Sequence, residues 1–228
     1  NRARFPRKRC LTTLVSLGFD AFFAAQLQQL DRPEWVPARV ASEAQSSFHL
    51  RGCEAPLGDL AGKLIKAGKH ERPIVGDWVA VVDGPERAMI QHVFERRTAL
   101  VRRAAGTTAE PQVVAVNVDT FFVVTSPNRD FNERRLERYV AAVWNSGAEP
   151  VIVLNKPDLP ADLPALLDTI ERVAIGVPVI RASALTGEGL DELASRIGPG
   201  RTIGFIGSSG VGKSTLMNRL LGQELQAS

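Results

Sequence analysis

The sequence predicts a protein of two domains: a small all-β barrel, followed by an α/β domain built on a doubly wound parallel sheet. Three observations lead to this prediction. Residues 36–97 contain short alternating runs that are broken by turn residues. Residues 113–228 alternate between apolar strand-like runs and amphipathic helical runs. Residues 98–112 are basic and rich in small side chains, which is typical of a linker.

The composition excludes several classes of protein. The chain is 44% hydrophobic and 23% charged, which is usual for a globular protein. No apolar run reaches the ~18 residues that a membrane-spanning helix needs. The two cysteines, Cys10 and Cys53, offer neither a disulfide framework nor a metal-ligand spacing, so we expect a reducing, cytoplasmic location. The net charge of +3 is concentrated in the first half, which suits either an anionic macromolecule or a solvated tail.

Residues 1–35 are predicted to form a basic arm and one short helix. The arm is residues 1–10, where arginine and lysine predominate. The helix is predicted over residues 14–30, where Phe22, Phe23 and Leu27 recur at nearly helical spacing. We interpret that stripe as a core-facing surface.

Five strands are predicted in the barrel, at residues 37–41, 47–51, 62–65, 77–82 and 88–93. Five short strands in about 60 residues fit a closed barrel of the OB-fold type, and such barrels often bind nucleic acid. The aromatic side chains Phe48, Trp78 and Phe94 are predicted to be core residues. RNA contact is therefore assigned to basic side chains of the barrel and linker: Lys63, Lys66, Lys69, Arg72, Arg96, Arg97, Arg102 and Arg103. For Arg102 and Arg103 a solvated loop is an equally good explanation.

The α/β domain is predicted from regular alternation along residues 113–228. Strands are expected at residues 120–124, 150–154, 177–181 and 202–206, and helices at residues 134–145, 163–170, 190–197 and 213–221. The strand at residues 120–124 is apolar throughout, as in a buried parallel sheet. Ligands of such sheets bind at the carboxyl ends of the strands.

A phosphate-binding motif follows the last predicted strand. The residues fit the P-loop pattern G-x-x-x-x-G-K-[ST], with the strand before it and the helix after it that the motif requires. Lys213 can supply positive charge to the phosphates, and the hydroxyl of Ser214 can ligate Mg²⁺. The predicted phosphate-binding residues are Gly207, Ser208, Ser209, Gly210, Val211, Gly212, Lys213, Ser214 and Thr215.

Two more motifs follow earlier strands: N-K-x-D after residues 150–154 and S-A after residues 177–181. The carboxylate of Asp158 can accept from the N1–H and the 2-amino group of guanine, whereas adenine would leave it unpaired. A site built on such hydrogen bonds rejects the wrong base by ~10⁴–10⁵. Asn155 can tie this loop to the P-loop, and Ala184 N–H can donate to guanine O6. The predicted base-site residues are Asn155, Lys156, Pro157, Asp158, Ser183 and Ala184.

Together the motifs resemble the GTPase signature in permuted order. In small GTPases the order of motifs is P-loop, N-K-x-D, S-A, whereas in this chain the order is N-K-x-D, S-A, P-loop. With a barrel ahead of it, the sequence resembles the ribosome small subunit-dependent GTPase A family. The supporting stretches are residues 36–40, 75–81, 117–119, 134–139, 155–158, 186–190 and 207–215.

The resemblance implies a cytoplasmic, monomeric enzyme that hydrolyses GTP to GDP and phosphate with Mg²⁺. It implies stimulation by the small ribosomal subunit, late in the maturation of that subunit, with the barrel on ribosomal RNA. No membrane partner is implied. It also implies Zn²⁺ in a C-terminal domain beyond Ser228.

The chain departs from the family pattern at its end. The switch threonine, the D-x-x-G motif and the zinc domain that the family carries after the P-loop are not present in residues 1–228, so we expect a partial GTPase domain and a fragment of a longer protein. Asp59-Leu60-Ala61-Gly62 matches D-x-x-G but lies in the predicted barrel, where we interpret it as a turn. Without switches, Mg²⁺ coordination rests on Ser214, and no catalytic base is evident. We expect weak nucleotide binding and little turnover from these residues alone.

Two other functions stay open on the sequence alone. The protein could be an RNA-binding module whose guanine-nucleotide domain is a non-hydrolysing switch. It could also be a P-loop ATPase in which residues 155–158 are only a turn.

Overall fold

The computed structural model describes residues 13–45, 47–66, 68, 71–102, 111–127, 131–156 and 162–227. The chain divides into two compact units. The first extends to Val118 and includes residues 199–201, and the second comprises residues 119–198 and 202–228. In the described part of the chain, no helix has the length and apolar character to cross a membrane.

The N-terminal helix is shorter than the sequence predicted. A helical turn over residues 13–16 ends at Gly18, which has φ +94°. Helix α1 (Ala21–Gln29) then begins anew, because the Asp20 carboxylate accepts a hydrogen bond from the Phe22 N–H at 3.0 Å. The predicted single helix over residues 14–30 is therefore wrong, because a glycine turn and an N-cap interrupt it.

Aromatic side chains fill the core beneath α1. Phe23 is buried and lies near Trp78 and Phe94, with ring centroids 5.7 and 6.4 Å away. Phe48 is buried in a neighbouring cluster. The prediction that Phe48, Trp78 and Phe94 are core residues is confirmed.

Five strands close into a barrel, as the sequence predicted. Its strand order is β1-β2-β3-β5-β4, with β3 and β5 parallel and the other neighbours antiparallel. The strands are β1 (Trp35–Ala44), β2 (Ser47–Arg51), β3 (Leu57–Leu60), β4 (Trp78–Val82) and β5 (Arg87–Val93).

The third strand lies earlier than predicted. Residues 62–65 belong to helix α2 (Gly62–Lys66), in which the Ala61 carbonyl accepts from the N–H groups of Leu64 and Ile65. Leu64 is buried in the barrel core, so a short apolar run was mistaken for a strand. The predicted turn at Asp59 is also wrong, because Asp59 lies on β3.

The predicted linker, residues 98–112, contains a strand. Strand β6 (Ala99–Arg102) pairs antiparallel with β7 (Gln112–Val116) in a two-stranded sheet. Both strands belong to the first unit.

The second unit is built on a four-stranded parallel sheet of order β10-β9-β8-β11. Its strands are β8 (Thr120–Thr125), β9 (Glu149–Asn155), β10 (Val179–Ala182) and β11 (Ile203–Gly207). Its helices are α3 (Glu133–Asn145), α4 (Leu163–Val173), α5 (Leu190–Ser195) and α6 (Lys213–Ala227). The predicted parallel sheet is confirmed, and β11, the last strand in the chain, pairs directly with β8, the first.

Helices cover both faces of this sheet. Alternate strand residues such as Phe122 and Val153 pack in one cluster with Leu193 of α5 and Leu216 of α6. Residues of the opposite parity, such as Val123, are also fully buried, and α3 packs against β8, β9 and α4. The sheet therefore has the two covered faces that its apolar strands predicted.

Candidate nucleotide-binding site

The P-loop connects the carboxyl end of β11 to the start of α6, as predicted. Gly207 has φ +147°, and a Cβ there would overlap the carbonyl oxygen of Val124 on β8. Gly212 has φ +96°, and a Cβ there would overlap the side-chain amide of Asn155. The loop thus approaches two neighbouring strands so closely that only glycine fits at these positions.

Lys213 lies where the P-loop requires a positive charge. Its ammonium donates to the carbonyl oxygens of Gly207 and Ser208 at 2.9 and 2.7 Å, so the side chain folds back over the loop. Ser214 and Thr215 are exposed on the first turn of α6. A helix N-terminus with unpaired N–H groups, a lysine and exposed hydroxyls fits a phosphate group with Mg²⁺.

Asn155 joins three loops at the carboxyl edge of the sheet. Its side chain is buried, and its amide nitrogen donates to the Val211 carbonyl in the P-loop at 2.7 Å. Its amide oxygen accepts from the Ala184 N–H at 3.5 Å. The prediction that Asn155 ties the N-K-x-D loop to the P-loop is confirmed, and the same side chain reaches the S-A loop.

Lys156 continues the contact between the N-K-x-D loop and the P-loop. Its ammonium donates to the Gly210 carbonyl at 3.2 Å, and its backbone has a left-handed φ of +61°. Pro157 and Asp158 lie outside the described residues. The selection of guanine by Asp158 therefore stays a prediction.

The S-A loop is shaped by Ser183, as the sequence predicted. Its buried hydroxyl accepts from the Thr186 N–H at 3.2 Å, and its own N–H donates to the Glu188 carbonyl at 2.9 Å. These bonds fold the loop back on itself beside the end of β10. Ala184, whose N–H was predicted to read guanine O6, is thereby placed next to Asn155.

Two arginines that the sequence reasoning did not assign to the site hold these loops. Arg219 on α6 donates to the carbonyl oxygens of Ala184 and Leu185 at 2.9 and 3.2 Å. Arg135 on α3 donates to the Ser208 hydroxyl in the P-loop at 2.7 Å. Both contacts join residues far apart in the chain, and no local sequence pattern signals them.

Two of the predicted RNA contacts are engaged inside the first unit. Arg96 forms a bidentate pair with the fully buried Asp77 at 2.9 and 2.8 Å, and this hydrogen bonding raises the pKa of its guanidinium. Arg97 pairs with Asp20 and lies over the rings of Phe22 and Phe23. The structure gives both side chains a role in holding the unit together.

The other basic candidates are more accessible. Lys63 lies 5.5 Å from the centroid of the Trp35 ring, and Arg72 donates to the Ile65 carbonyl at 2.9 Å, yet both are exposed. Lys66 and Arg102 are exposed as well. Lys69 and Arg103 lie outside the described residues.

No group of three or more histidine, cysteine, aspartate or glutamate side chains could hold a metal ion within the part of the chain that the structure describes. The Mg²⁺ ligand that the sequence offers is the Ser214 hydroxyl.

The fold and the site define a circularly permuted P-loop protein in which the N-K-x-D and S-A loops adjoin the P-loop. A family model described as RsgA GTPase matches residues 93–228. The chain belongs to the RsgA GTPase family.

Relatives share both units of the chain. A protein of Opitutus terrae named small ribosomal subunit biogenesis GTPase RsgA is 43% identical over 94% of this chain and 62% of its own length. Its namesake in Methanosarcina acetivorans is 47% identical over 79% of this chain and 51% of its own length. The chain thus spans about half to three fifths of these relatives.

Solved structures agree with the fold. The crystal structure of YjeQ from Thermotoga maritima matches with a TM-score of 0.66 and 25% identity, over 82% of this chain and 65% of that one. The structure of YloQ, described as a circularly permuted GTPase, matches with a TM-score of 0.59 and 24% identity, over 81% and 63%. At this identity the likeness to YloQ shows a shared fold alone.

Proposed function

We propose that this protein binds GTP and hydrolyses it to GDP and phosphate during biogenesis of the small ribosomal subunit. One observation carries the proposal: the buried Asn155 amide connects the N-K-x-D, S-A and P-loop segments into one site. A simple turn after a strand would not require hydrogen bonds to a P-loop, whereas Asn155 makes one. The names of the relatives supply the biological setting.

The residues present fit the phosphates of a nucleotide. The backbone N–H groups at the start of α6 would hold phosphate oxygens, and Lys213 would move from the loop carbonyls to the β- and γ-phosphates. Ser214 would ligate Mg²⁺, which neutralises the charge that develops on the phosphates during transfer. Asn155 and Lys156 would keep the base-binding loop at a fixed distance from that phosphate site.

The guanine preference is assigned to Asp158. A carboxylate there would accept two hydrogen bonds from guanine, and it would have no donor to meet on adenine. Ala184 N–H would donate to the O6 oxygen of guanine, which adenine lacks.

The barrel and the segment after it are proposed to contact ribosomal RNA through exposed cations, Lys63, Lys66, Arg72 and Arg102, together with Lys69 and Arg103. A cytoplasmic monomer fits assembly on the small subunit. Zinc is proposed only as the resemblance implies it, for a domain beyond Ser228.

A first experiment tests the base site. The Asp158→Asn variant should lose its preference for GDP over ADP, measured as the ratio of the two dissociation constants. Asp162→Asn is the matched control, because Asp162 caps α4 through its carboxylate and asparagine caps a helix equally well. An unmodified protein that already binds ADP and GDP equally would refute guanine recognition.

A second experiment tests the enzyme and its partner. The full-length protein should hydrolyse GTP faster when small ribosomal subunits are added, and large subunits should have no such effect. Intact GTP hydrolysis without stimulation would refute the proposed partner. RNA binding that responds to GTP analogues without any hydrolysis would favour the non-hydrolysing switch instead.

A further inference from the structure

A small polar cavity lies behind the P-loop, within the second unit. Its volume is about 20 Å³, which accommodates a single water molecule. It is bounded by the end of β8, the first turns of α3 and the first residues of the P-loop. The polar side chains in its lining are those of Thr125, Ser126, Asn132, Arg135, Tyr139 and Ser208.

Ser126 gives the cavity a buried polar group that needs a partner. Only 1% of the residue is exposed, and its hydroxyl has no hydrogen-bond partner among the described residues. The large majority of buried side-chain polar atoms in proteins are hydrogen-bonded, and leaving one unpaired costs free energy. A hydroxyl of this kind in the wall of a cavity of that size indicates a bound water.

Arg135 supplies the second polar group. Its guanidinium carries five N–H donors, and one hydrogen bond is seen, to the Ser208 hydroxyl at 2.7 Å. The side chain is half-buried, and it forms no ion pair within the described part of the chain. A guanidinium that meets no carboxylate among the described residues has donors available for a water oxygen.

We propose that one ordered water in this cavity bridges Ser126 and Arg135, and that the two residues position the P-loop. Arg135 N–H donates to the water, and the water donates to the Ser126 oxygen. Arg135 also fixes the Ser208 side chain, whose own backbone carbonyl lies 2.7 Å from the Lys213 ammonium. Arg135 thus holds the start of the P-loop from behind, including the Ser208 carbonyl that Lys213 would leave on binding phosphate.

This inference rests on the proposed nucleotide binding only in its second half. The presence of the water is tested by protein stability, which does not depend on nucleotide. The positioning of the P-loop is tested by nucleotide affinity.

The sign of one stability change tests the water. Ser126→Ala removes a hydroxyl, so the protein should become less stable if a water bridge is lost and unchanged or more stable if the hydroxyl was unpaired. Ser146→Ala is the matched control, because Ser146 is a buried serine of the same unit whose hydroxyl donates to Val143 O at 2.6 Å. We expect both variants to lower the unfolding midpoint, and an unchanged or raised midpoint for Ser126→Ala overturns the bridge.

Nucleotide affinity separates the two serines. Ser126→Ala should weaken GDP binding about threefold or more, whereas Ser146→Ala should leave it unchanged, because only Ser126 lines the P-loop cavity. Equal GDP affinity in both variants overturns the positioning role of Ser126. An unmodified protein that binds no guanine nucleotide would refute the proposed function, while the stability comparison would still decide the water.

Three arginine variants test the link to the lysine. Arg135→Leu should weaken GDP binding about tenfold and shift the ³¹P resonance of the bound β-phosphate. Arg135→Lys, which keeps one donor for Ser208, should recover most of the affinity. Arg134→Leu, at an exposed position one residue earlier on α3, should change neither quantity. An unchanged phosphate resonance in Arg135→Leu overturns the inference.

A crystal structure gives the direct readout. A density peak within hydrogen-bonding distance of the Ser126 oxygen and the Arg135 guanidinium supports the water. A dry cavity overturns it, as does an anomalous signal at that position in crystals grown in bromide.

Discussion

The side-chain amide nitrogen of Asn155 lies 2.7 Å from the carbonyl oxygen of Val211. Asn155 is the last residue of β9 and Val211 lies in the loop after β11, and these two strands are separated in the sheet by β8. The hydrogen bond therefore spans β8 and fixes the N-K-x-D loop against the P-loop.

We predict that Asn155→Ala weakens both the fold and the site. The buried Val211 carbonyl would lose its donor, at a cost of about 1–3 kcal/mol in the free energy of unfolding. Affinity for GDP should fall at least about tenfold, because the two loops would no longer be held together. Urea unfolding and titration with a fluorescent GDP analogue measure the two effects. Asn145→Ala, at an exposed position on α3, is the control, and an equal loss of affinity there would contradict the prediction.

Arg96 and Arg87 should differ sharply in their importance for stability. Arg96→Met would leave the carboxylate of Asp77 buried without its guanidinium, at a cost of about 3–5 kcal/mol. Arg87→Met should cost much less, because Arg87 and Asp59 pair on the surface with side chains 49% and 36% exposed. Urea unfolding of the two variants makes the comparison. Similar losses would show that burial of the carboxylate does not decide the cost.

The barrel should lose stability below neutral pH because of His92. Burial, aided by the charge of Lys63, lowers the pKa of His92 from its ordinary 6.5. The unfolded chain therefore binds a proton more readily than the folded protein does, and stability falls as the pH drops through 6.5 toward the folded pKa. Comparing urea midpoints at about pH 5.5 and about pH 7.5 measures the loss.

Two variants identify the group responsible for that loss. His92→Gln should shrink the difference between the two midpoints, because the titrating imidazole is gone. Lys63→Met should shrink it partly, since burial alone would then lower the pKa of His92. An undiminished difference in His92→Gln would assign the pH dependence to another group.

The proposed RNA contact should follow exposure rather than charge alone. Lys66 is exposed on α2, so Lys66→Gln should weaken binding to small-subunit ribosomal RNA and reduce the slope of log K against log[salt] by about one. Arg172→Gln on α4 of the second unit is the control and should leave the slope unchanged. Filter binding at several salt concentrations measures the slope, and equal slopes in all three proteins would remove Lys66 from the interface.

Local patterns were sufficient for most elements of the second unit. Its strands are short apolar runs and its helices have a regular stripe, as with Leu136, Val140 and Val143 on α3, which are all buried. In the barrel, the short run at residues 62–65 fitted either a strand or a helix, and in the structure it is a helix. Strand β3 was missed because residues 59–62 were interpreted as a turn, whereas Asp59 and Leu60 lie on β3 in the structure.

The site was predictable as far as its motifs extend. The residues of the P-loop and Asn155 follow from strand ends and from the chemistry of a nucleotide. Arg135, Arg219 and Ser126 do not, because their roles depend on contacts across the sheet that no periodicity encodes. The same limit explains Arg96, whose positive charge suggested RNA before the structure placed Asp77 beside it.

The pairing of β11 with β8 has a consequence for how the protein is made. During synthesis the base-binding loop leaves the exit tunnel well before the phosphate-binding loop, the reverse of the order in small GTPases that begin with their P-loop. The nascent chain can build β8, β9 and β10 with their helices while the position beside β8 is still open. The proposed nucleotide can therefore stabilise the second unit only after α6 has been synthesised, because both loops must be present to bind it.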